Sequence, residues 1–180
     1  IGIHGTVCRN EITFTPNYNL ADLPIKDALE DALEIPVWLE NEANLSALAE
    51  KTFVENHKNL IHVSIHAGVG AGIILDHHLY TGLAGTAGEA GHMIVQPGGR
   101  SCPCGNHGCL EQVASATGIV RVAKRILAAA ETESVLRNID NLTAKDVFDA
   151  AKAGDGLALK AVETLGKYLG QVIATVALTV

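Results

Sequence analysis

Three of the four cysteines lie within eight residues of one another, at Cys102, Cys104 and Cys109 in the run CPCGNHGC. A secreted disulfide framework spreads its cysteine pairs along the chain and leaves no odd thiol in a cluster. Thiols grouped beside histidines are instead typical of a metal site in a reducing compartment. The sequence therefore predicts a loop organised around a metal ion. Cys8, far upstream, is interpreted as a small core residue.

Zinc is the metal that this donor set favours, since three thiolates and one imidazole form a common tetrahedral structural site. Gly105 and Gly108 allow the loop to fold back, so that the last cysteine closes the site. Two histidines can supply the fourth ligand, His92 upstream of the loop and His107 inside it. The spacing of the residues leaves both open.

Composition narrows the class of protein. Apolar residues make up 48% and charged residues 18%, and with 18 glycines this favours an α/β protein with many tight turns between strands and helices. Thirteen Lys and Arg against twenty Asp and Glu leave a net charge of −7. An acidic surface repels the phosphate backbone, so we expect no direct DNA contact through this chain.

The two ends and the last helix bear on where the protein resides. The chain starts and stops inside apolar runs, which we interpret as a piece of a larger protein. No basic stretch precedes an apolar one at the N-terminus, so no signal peptide is expected. Lys160, Glu163 and Lys167 interrupt the apolar segment 157–180, which favours a buried helix over a membrane span. A cytoplasmic location follows as the expectation.

Hydrophobic periodicity gives a coarse secondary structure. Thr143, followed three residues later by Asp146, predicts a capped helix start. A boundary near residue 58 divides the chain into a first α/β unit, 1–58, and a second, 59–180, that carries the metal loop 92–109. We predict strands over 11–15, 36–39 and 60–65, a turn at 16–19, a hairpin over 70–80, an irregular glycine-rich stretch over 81–108, and helices over 25–33, 42–53, 110–115, 118–130, 144–153 and from 157 onward.

The motif GEAGH at 88–92, followed by the cysteine loop and GCLE at 108–111, closely resembles the signature of the ROK family, which groups sugar-responsive repressors with sugar kinases. The match is almost unbroken from Thr81 to Ser115. Weaker resemblances carry it over most of the chain, at 2–7 (GIHGTV), 36–44 (PVWLENEAN) and 68–72 (GVGAG).

The resemblance implies an actin-like (ribonuclease H-like) fold of two lobes with a sugar bound between them, here incomplete at both ends. It also implies a homodimer or tetramer. It gives the zinc ligands as His92, Cys102, Cys104 and Cys109, which favours His92 over His107. It gives the sugar contacts as Asn41, Glu42, Glu89, His92 and Glu111, a set rich in the planar acceptors that take hydroxyl protons.

Two positions favour a repressor over a kinase. A kinase of this family needs an Asp after Asn41 as the base for the sugar hydroxyl, and this chain has Glu42, which is one methylene longer. The kinases also carry a phosphate-contacting Thr where this chain has Ala67. We therefore predict the effector-binding portion of a ROK transcriptional repressor and no catalytic residue.

The remaining alternatives stay open at this point. A missing N-terminal winged helix-turn-helix, implied by the resemblance, would contact DNA. Gly68, Gly70 and Gly72 resemble a phosphate loop, so a sugar kinase fragment is the second hypothesis. A zinc-stabilised interaction module without a ligand is the third, but it leaves the matches at Asn41, Glu89 and Glu111 unexplained.

Overall fold

The computed structural model describes residues 1–15, Leu20 and 23–179, and the predicted turn at 16–19 lies outside them. The chain divides into two compact units. Unit 1 comprises 1–64 and 70–89, and unit 2 comprises 65–69 and 90–180. The boundary near residue 58 stays a prediction.

Short strands and helices alternate over the first half of the chain. The strands are β1 (Gly2–Ile3), β2 (Thr6–Cys8), β3 (Glu11–Phe14), β4 (Glu40–Asn41), β5 (Leu60–Ile65), β6 (Val69–Leu75) and β7 (His78–Leu79). The helices are α1 (Ile25–Leu33) and α2 (Glu42–Ala49), which continues into a π-helical turn, Glu50–Val54. The predicted helices over 25–33 and 42–53, the strands over 11–15 and 60–65 and the hairpin over 70–80 are confirmed.

Over the described residues the strands form three small sheets: β1 with β4, β2 with β3, and β5, β6 and β7 in that order. The β1–β4 pair is parallel, with Gly2 opposite Glu40 and Ile3 opposite Asn41. The β2–β3 and β6–β7 pairs are antiparallel. The turn between β6 and β7 places Asp76 and His77 at φ +49° and +67°, the left-handed conformation that a tight two-residue hairpin turn requires.

The core of unit 1 is a cluster of buried aliphatic side chains from β1, β2, β3 and the segment before β4. Leu20, Ile25 and Leu29 pack against it from outside. Cys8 is only half-buried and is not part of that cluster, so its interpretation as a core residue is wrong. The cluster consists of Ile3, Val7, Ile12, Val37 and Leu39.

The buried strand predicted over 36–39 is wrong, and only two of its four residues are buried. Val37 and Leu39 are each 6% exposed, whereas Trp38 between them is 68% exposed, which is the alternation of a strand. A side chain replaces the partner strand. Asn10 donates from Nδ2 to the Val37 carbonyl (3.1 Å) and accepts from the Leu39 amide through Oδ1 (2.6 Å). The ladder proper begins only at Glu40.

Helices form the larger part of unit 2: α3 (Glu111–Ala114), α4 (Ala116–Ala129), α5 (Ala144–Lys152) and α6 (Gly156–Thr179). Ser115 caps α4 by accepting from the Gly118 amide at 3.0 Å. Thr143 and Asp146 form a reciprocal capping box at the start of α5, which confirms that prediction. The four helices bury Ile119, Val122, Val147, Ala158 and Ala161 between them.

Helix α6 is the longest helix of the described residues, at 24 residues. Neither α6 nor any other described helix combines the length and the apolar character needed to cross a bilayer. The helix predicted from 157 onward is confirmed, but its predicted burial is wrong for most of its length, since only Leu157, Ala158, Ala161 and Val172 of α6 are buried.

Candidate metal centre and neighbouring polar residues

The four predicted metal ligands come from three short elements of unit 2. His92 ends a 3₁₀ turn, Ala90–His92, and Cys109 immediately precedes Leu110 and α3. The loop between them folds back on itself, since the Cys102 amide donates to the Asn106 carbonyl at 2.8 Å. The Gly105 amide in turn donates to the Cys102 carbonyl at 3.0 Å. Local backbone hydrogen bonds therefore bring the cysteines together.

The ligand atoms of His92, Cys102, Cys104 and Cys109 all lie within 4.8 Å of one another. Cys104 Sγ and Cys109 Sγ are 3.6 Å apart, as are Cys102 Sγ and His92 Nδ1. Tetrahedral zinc with Zn–S bonds of about 2.3 Å separates its ligands by about 3.8 Å, so the four residues fit this ion. The cluster contains His92 and not His107, whose backbone instead bridges to Ser101.

Burial controls the protonation of the thiols in this cluster. Cys102 is 4% exposed and Cys109 is fully buried. Removal from water raises the pKa of both thiols, because a buried thiolate has lost its hydration. A divalent cation reverses that preference by stabilising the thiolate directly. The donor set and its burial are thus those of a cluster that could hold a metal ion.

Glu111, the first residue of α3, is linked to this cluster. Its Oε1 accepts from the Cys102 thiol at 3.1 Å and from Gln112 Nε2 at 3.3 Å. The same oxygen lies 4.0 Å from His92 Nδ1. Glu111 is largely buried, with a side chain 17% exposed. The structure therefore brings His92 and Glu111, two of the predicted sugar contacts, to one place in unit 2.

Asn41, in unit 1, is the N-cap of α2. Its Oδ1 accepts from the Ala43 and Asn44 amides, at 2.8 and 3.3 Å. Its Nδ2 donates to the Gly5 carbonyl at 2.9 Å. These three hydrogen bonds fix the amide at the start of the helix. An Asn directly before a helical run could have revealed this capping role from the sequence.

Glu42 and Glu89 also belong to unit 1. Glu42 Oε1 lies 2.8 Å from His4 Nδ1, a contact that spans 38 positions of the chain. Thr6 Oγ1 donates to Glu89 Oε1 at 3.5 Å. Sequence reasoning gave no role to His4. The only signal was its place in the segment GIHGTV, because nothing local indicates a pairing with Glu42.

The glycines at 70 and 72 lie in β6 against α2. A Cβ atom at Gly72 would stand 2.4 Å from the Ala43 carbonyl oxygen, and one at Gly70 would stand 3.1 Å from Ala43 Cβ. Close packing of strand on helix thus accounts for both glycines. The interpretation of Gly68, Gly70 and Gly72 as a phosphate loop stays a prediction. Before them, the Ala67 carbonyl accepts from Thr117 Oγ1 at 3.4 Å.

The chain is thus a mixed α/β protein in which a cluster of three cysteines and one histidine lies beside the largely buried carboxylate of Glu111. The model of the ROK family matches residues 1–180. The chain therefore belongs to the ROK family, and the predicted α/β, actin-like fold of that family is confirmed.

Both sugar kinases and transcriptional repressors are among the relatives that are similar to the chain. A glucokinase of Halalkalibacterium halodurans is 42% identical over 89% of this chain and 51% of its own length. A xylose repressor of Bacillus spizizenii is 38% identical over 94% of this chain and 42% of its own length. The crystal structure of a ROK glucokinase from Streptomyces griseus with glucose and AMPPNP superposes with a TM-score of 0.87, at 35% identity, over 98% of this chain and 60% of that one. The chain spans about half the length of the curated relatives it matches.

Proposed function

We propose that this chain is the sugar-binding portion of a ROK transcriptional repressor that controls genes of carbohydrate metabolism. The observation that carries the proposal is Glu42, whose carboxylate stands at the position of the kinase base and is hydrogen-bonded to His4. A general base must meet the attacking hydroxyl in a narrow geometry. A carboxylate one methylene further out, held by an imidazole, suits hydrogen bonding to a ligand better than proton transfer.

Ala67 supports the same conclusion. The family resemblance implies that the kinases carry a threonine at this position. The hydroxyl of that threonine contacts a nucleotide phosphate. Alanine has no hydroxyl, and its backbone carbonyl already accepts from Thr117. A glycine loop without that donor binds a triphosphate less tightly, since each lost hydrogen bond to a charged oxygen weakens binding by about 1.5–3 kcal/mol.

A neutral monosaccharide is the proposed effector. Carboxylates accept hydroxyl protons, and the net charge of −7 disfavours an anionic ligand. The Asn41 oxygen already accepts from two backbone amides, so its contribution is the second proton of its Nδ2. The xylose repressor and glucokinase relatives support an aldose as the class of ligand. The residues proposed to contact it are Asn41, Glu42, Glu89, His92 and Glu111.

A structural zinc held by His92 and the three cysteines completes the proposal. Four protein ligands leave no open coordination position, so the ion orders the loop and takes no part in chemistry. Bound zinc keeps Cys102 as a thiolate, which can no longer donate to Glu111. The Glu111 oxygen that accepts this thiol proton at 3.1 Å would then accept from a sugar hydroxyl. The zinc site thereby supports sugar binding through the position of Glu111.

DNA is the proposed second partner of the whole protein, contacted by a part outside this acidic chain. A homodimer or tetramer is proposed as the assembly. A sugar can change DNA affinity only through different affinities for the two states of the protein, typically about 1–3 kcal/mol of coupling.

Replacing Glu111 by alanine tests the repressor. We expect the full-length protein with Glu111→Ala to bind glucose or xylose at least tenfold more weakly by calorimetry, because a charged hydrogen-bond acceptor is lost. Operator DNA, identified by selection of bound fragments, should be bound by the sugar-free variant as by wild type. Glu163→Ala, an exposed glutamate on α6, is the matched control. Loss of DNA binding would make Glu111 structural, and a wild-type response to sugar would place the effector site elsewhere.

A ROK glucokinase is the second candidate, supported by the 42% identity and the TM-score of 0.87 to glucokinases. A coupled assay of the full-length protein with ATP, Mg²⁺ and a panel of aldoses separates the two. We expect no sugar phosphorylation. Turnover that Glu42→Gln abolishes would make Glu42 the base and the protein a kinase.

A further inference from the structure

The structure assigns to His4 a role in unit 1: we infer that it is the positioning residue for the sugar-binding carboxylate of Glu42. The inference rests on the proposed function, in which Glu42 accepts a sugar hydroxyl. In this arrangement His4 acts on the sugar site without touching the ligand. A histidine and a glutamate together take the place of the single aspartate that a kinase of the family uses.

The backbone brings the two residues together. Strands β1 and β4 are parallel, with Gly2 opposite Glu40 and Ile3 opposite Asn41. His4 and Glu42 are the next residues along each strand, so they leave the ladder side by side at its carboxyl end. Asn41 Nδ2 then donates to the Gly5 carbonyl at 2.9 Å and ties together the residues next to each of them.

The hydrogen bond has a defined direction. A carboxylate only accepts, so His4 Nδ1 must carry the proton that is shared with Glu42 Oε1 across 2.8 Å. This bond fixes the rotation of the carboxylate and occupies one of its two oxygens. The second oxygen, Oε2, is thereby oriented as the acceptor for a hydroxyl. The side chains are 32% and 42% exposed, so a ligand from solvent can reach the pair.

The hydrogen bond between His4 and Glu42 requires the length of the glutamate side chain. An aspartate at position 42 would retract the carboxylate by about one bond, roughly 1.5 Å. The 2.8 Å contact with His4 Nδ1 would then open beyond hydrogen-bond distance. Glu42→Asp is therefore expected to act like removal of the imidazole, although it keeps the charge.

Two substitutions of His4 test the inference, because each keeps an amide donor but places it at a different distance from Cβ. In His4→Asn the amide nitrogen stands where Nδ1 stands, two bonds from Cβ. In His4→Gln it stands where Nε2 does, three bonds from Cβ. We expect the full-length His4→Asn protein to bind D-glucose and D-xylose within about twofold of wild type. His4→Gln and Glu42→Asp should each lose about fivefold, the effect of one partly exposed hydrogen bond to a charged group.

A double substitution separates positioning from a general structural effect. In a Glu42→Ala background, His4→Gln should cause no further loss of affinity, because the group that His4 orients is gone. Thermal unfolding of each variant checks the fold. Should His4→Gln not fold, His4→Asn and Glu42→Asp still decide between wild-type affinity and loss.

Failure of the proposed function and failure of this inference give different results. Wild-type protein that binds neither sugar would overturn the proposed function and this inference with it. Wild-type protein that binds sugar, with equal affinity in the Asn and Gln variants, would overturn the inference alone. The inference would also be overturned if the losses of sugar affinity caused by His4→Gln and Glu42→Ala were additive in the double variant. Additive losses would mean that His4 does not act through Glu42.

Discussion

Replacement of Cys104 by serine is expected to reduce bound zinc from about one ion per chain to near zero and to lower thermal stability. A serine hydroxyl is a poor zinc ligand, and three remaining ligands hold the ion far more weakly. Without the ion the loop keeps its backbone hydrogen bonds and the contact of Cys102 with Glu111, but two buried thiols lose their common partner. We expect a loss of about 3 kcal/mol or more, or roughly 10 °C in the midpoint. Elemental analysis and a thermal unfolding curve measure both effects.

Cys8→Ser is the matched control for this prediction. Cys8 is half-buried in unit 1 and takes no part in the cluster, so its replacement should leave the zinc content unchanged. Sugar affinity should fall in the Cys104 variant and not in the Cys8 variant, because without the ion the Cys102 thiol keeps its proton and donates it to the Glu111 oxygen that is proposed to accept from the sugar. Wild-type protein that contains no zinc after purification without chelator would contradict the metal site.

Replacement of Gly108 by alanine is expected to have the second large effect, through the backbone alone. Gly108 has φ +80°, and a Cβ there would stand 1.7 Å from the Gln96 carbonyl oxygen. Its own carbonyl accepts from the Val95 and Gln96 amides, at 2.9 and 3.1 Å, so the residue cannot move away freely. We expect destabilisation of about 3 kcal/mol or more, with loss of zinc, because Cys109 follows directly.

Gly105→Ala provides the comparison within the same loop. Gly105 has φ +92°, but no atom lies within 4 Å of a Cβ built there. Only the backbone strain remains, which amounts to about 1 kcal/mol. Urea unfolding and zinc analysis of both variants measure the difference. Equal effects of the two substitutions would show that the packing against Gln96 does not hold the loop.

Local signals made most of the helices and the metal loop predictable. Thr143 and Asp146 lie three residues apart and cap α5 as expected, since a cap is decided within one turn of the chain. The cysteines are equally local, and their types restrict the chemistry by themselves. His92 was favoured over His107 only through the family resemblance, because either histidine could reach the loop.

Contacts between distant residues escaped prediction. Asn10 satisfies the backbone of Val37 and Leu39 across 27 and 29 positions, and no sequence pattern distinguishes it from an ordinary turn residue. The contact of His4 with Glu42 depends on the parallel register of β1 and β4, which is a tertiary fact. The apolar run at 36–39 therefore predicted the burial of Val37 and Leu39 correctly and that of Pro36 and Trp38 wrongly.

The course of the chain through its two units limits how this protein can be rearranged. The backbone changes unit three times, at 64/65, 69/70 and 89/90. Within unit 2, a Cβ at Gly91 would stand 1.9 Å from the Val69 carbonyl oxygen, so the five residues 65–69 are packed into that unit. A single cut cannot release either unit whole. Exchange of the metal-bearing unit between relatives, in the laboratory or in evolution, would have to transplant 65–69 together with the segment from 90 onward, and a one-crossover chimera would leave both halves incomplete.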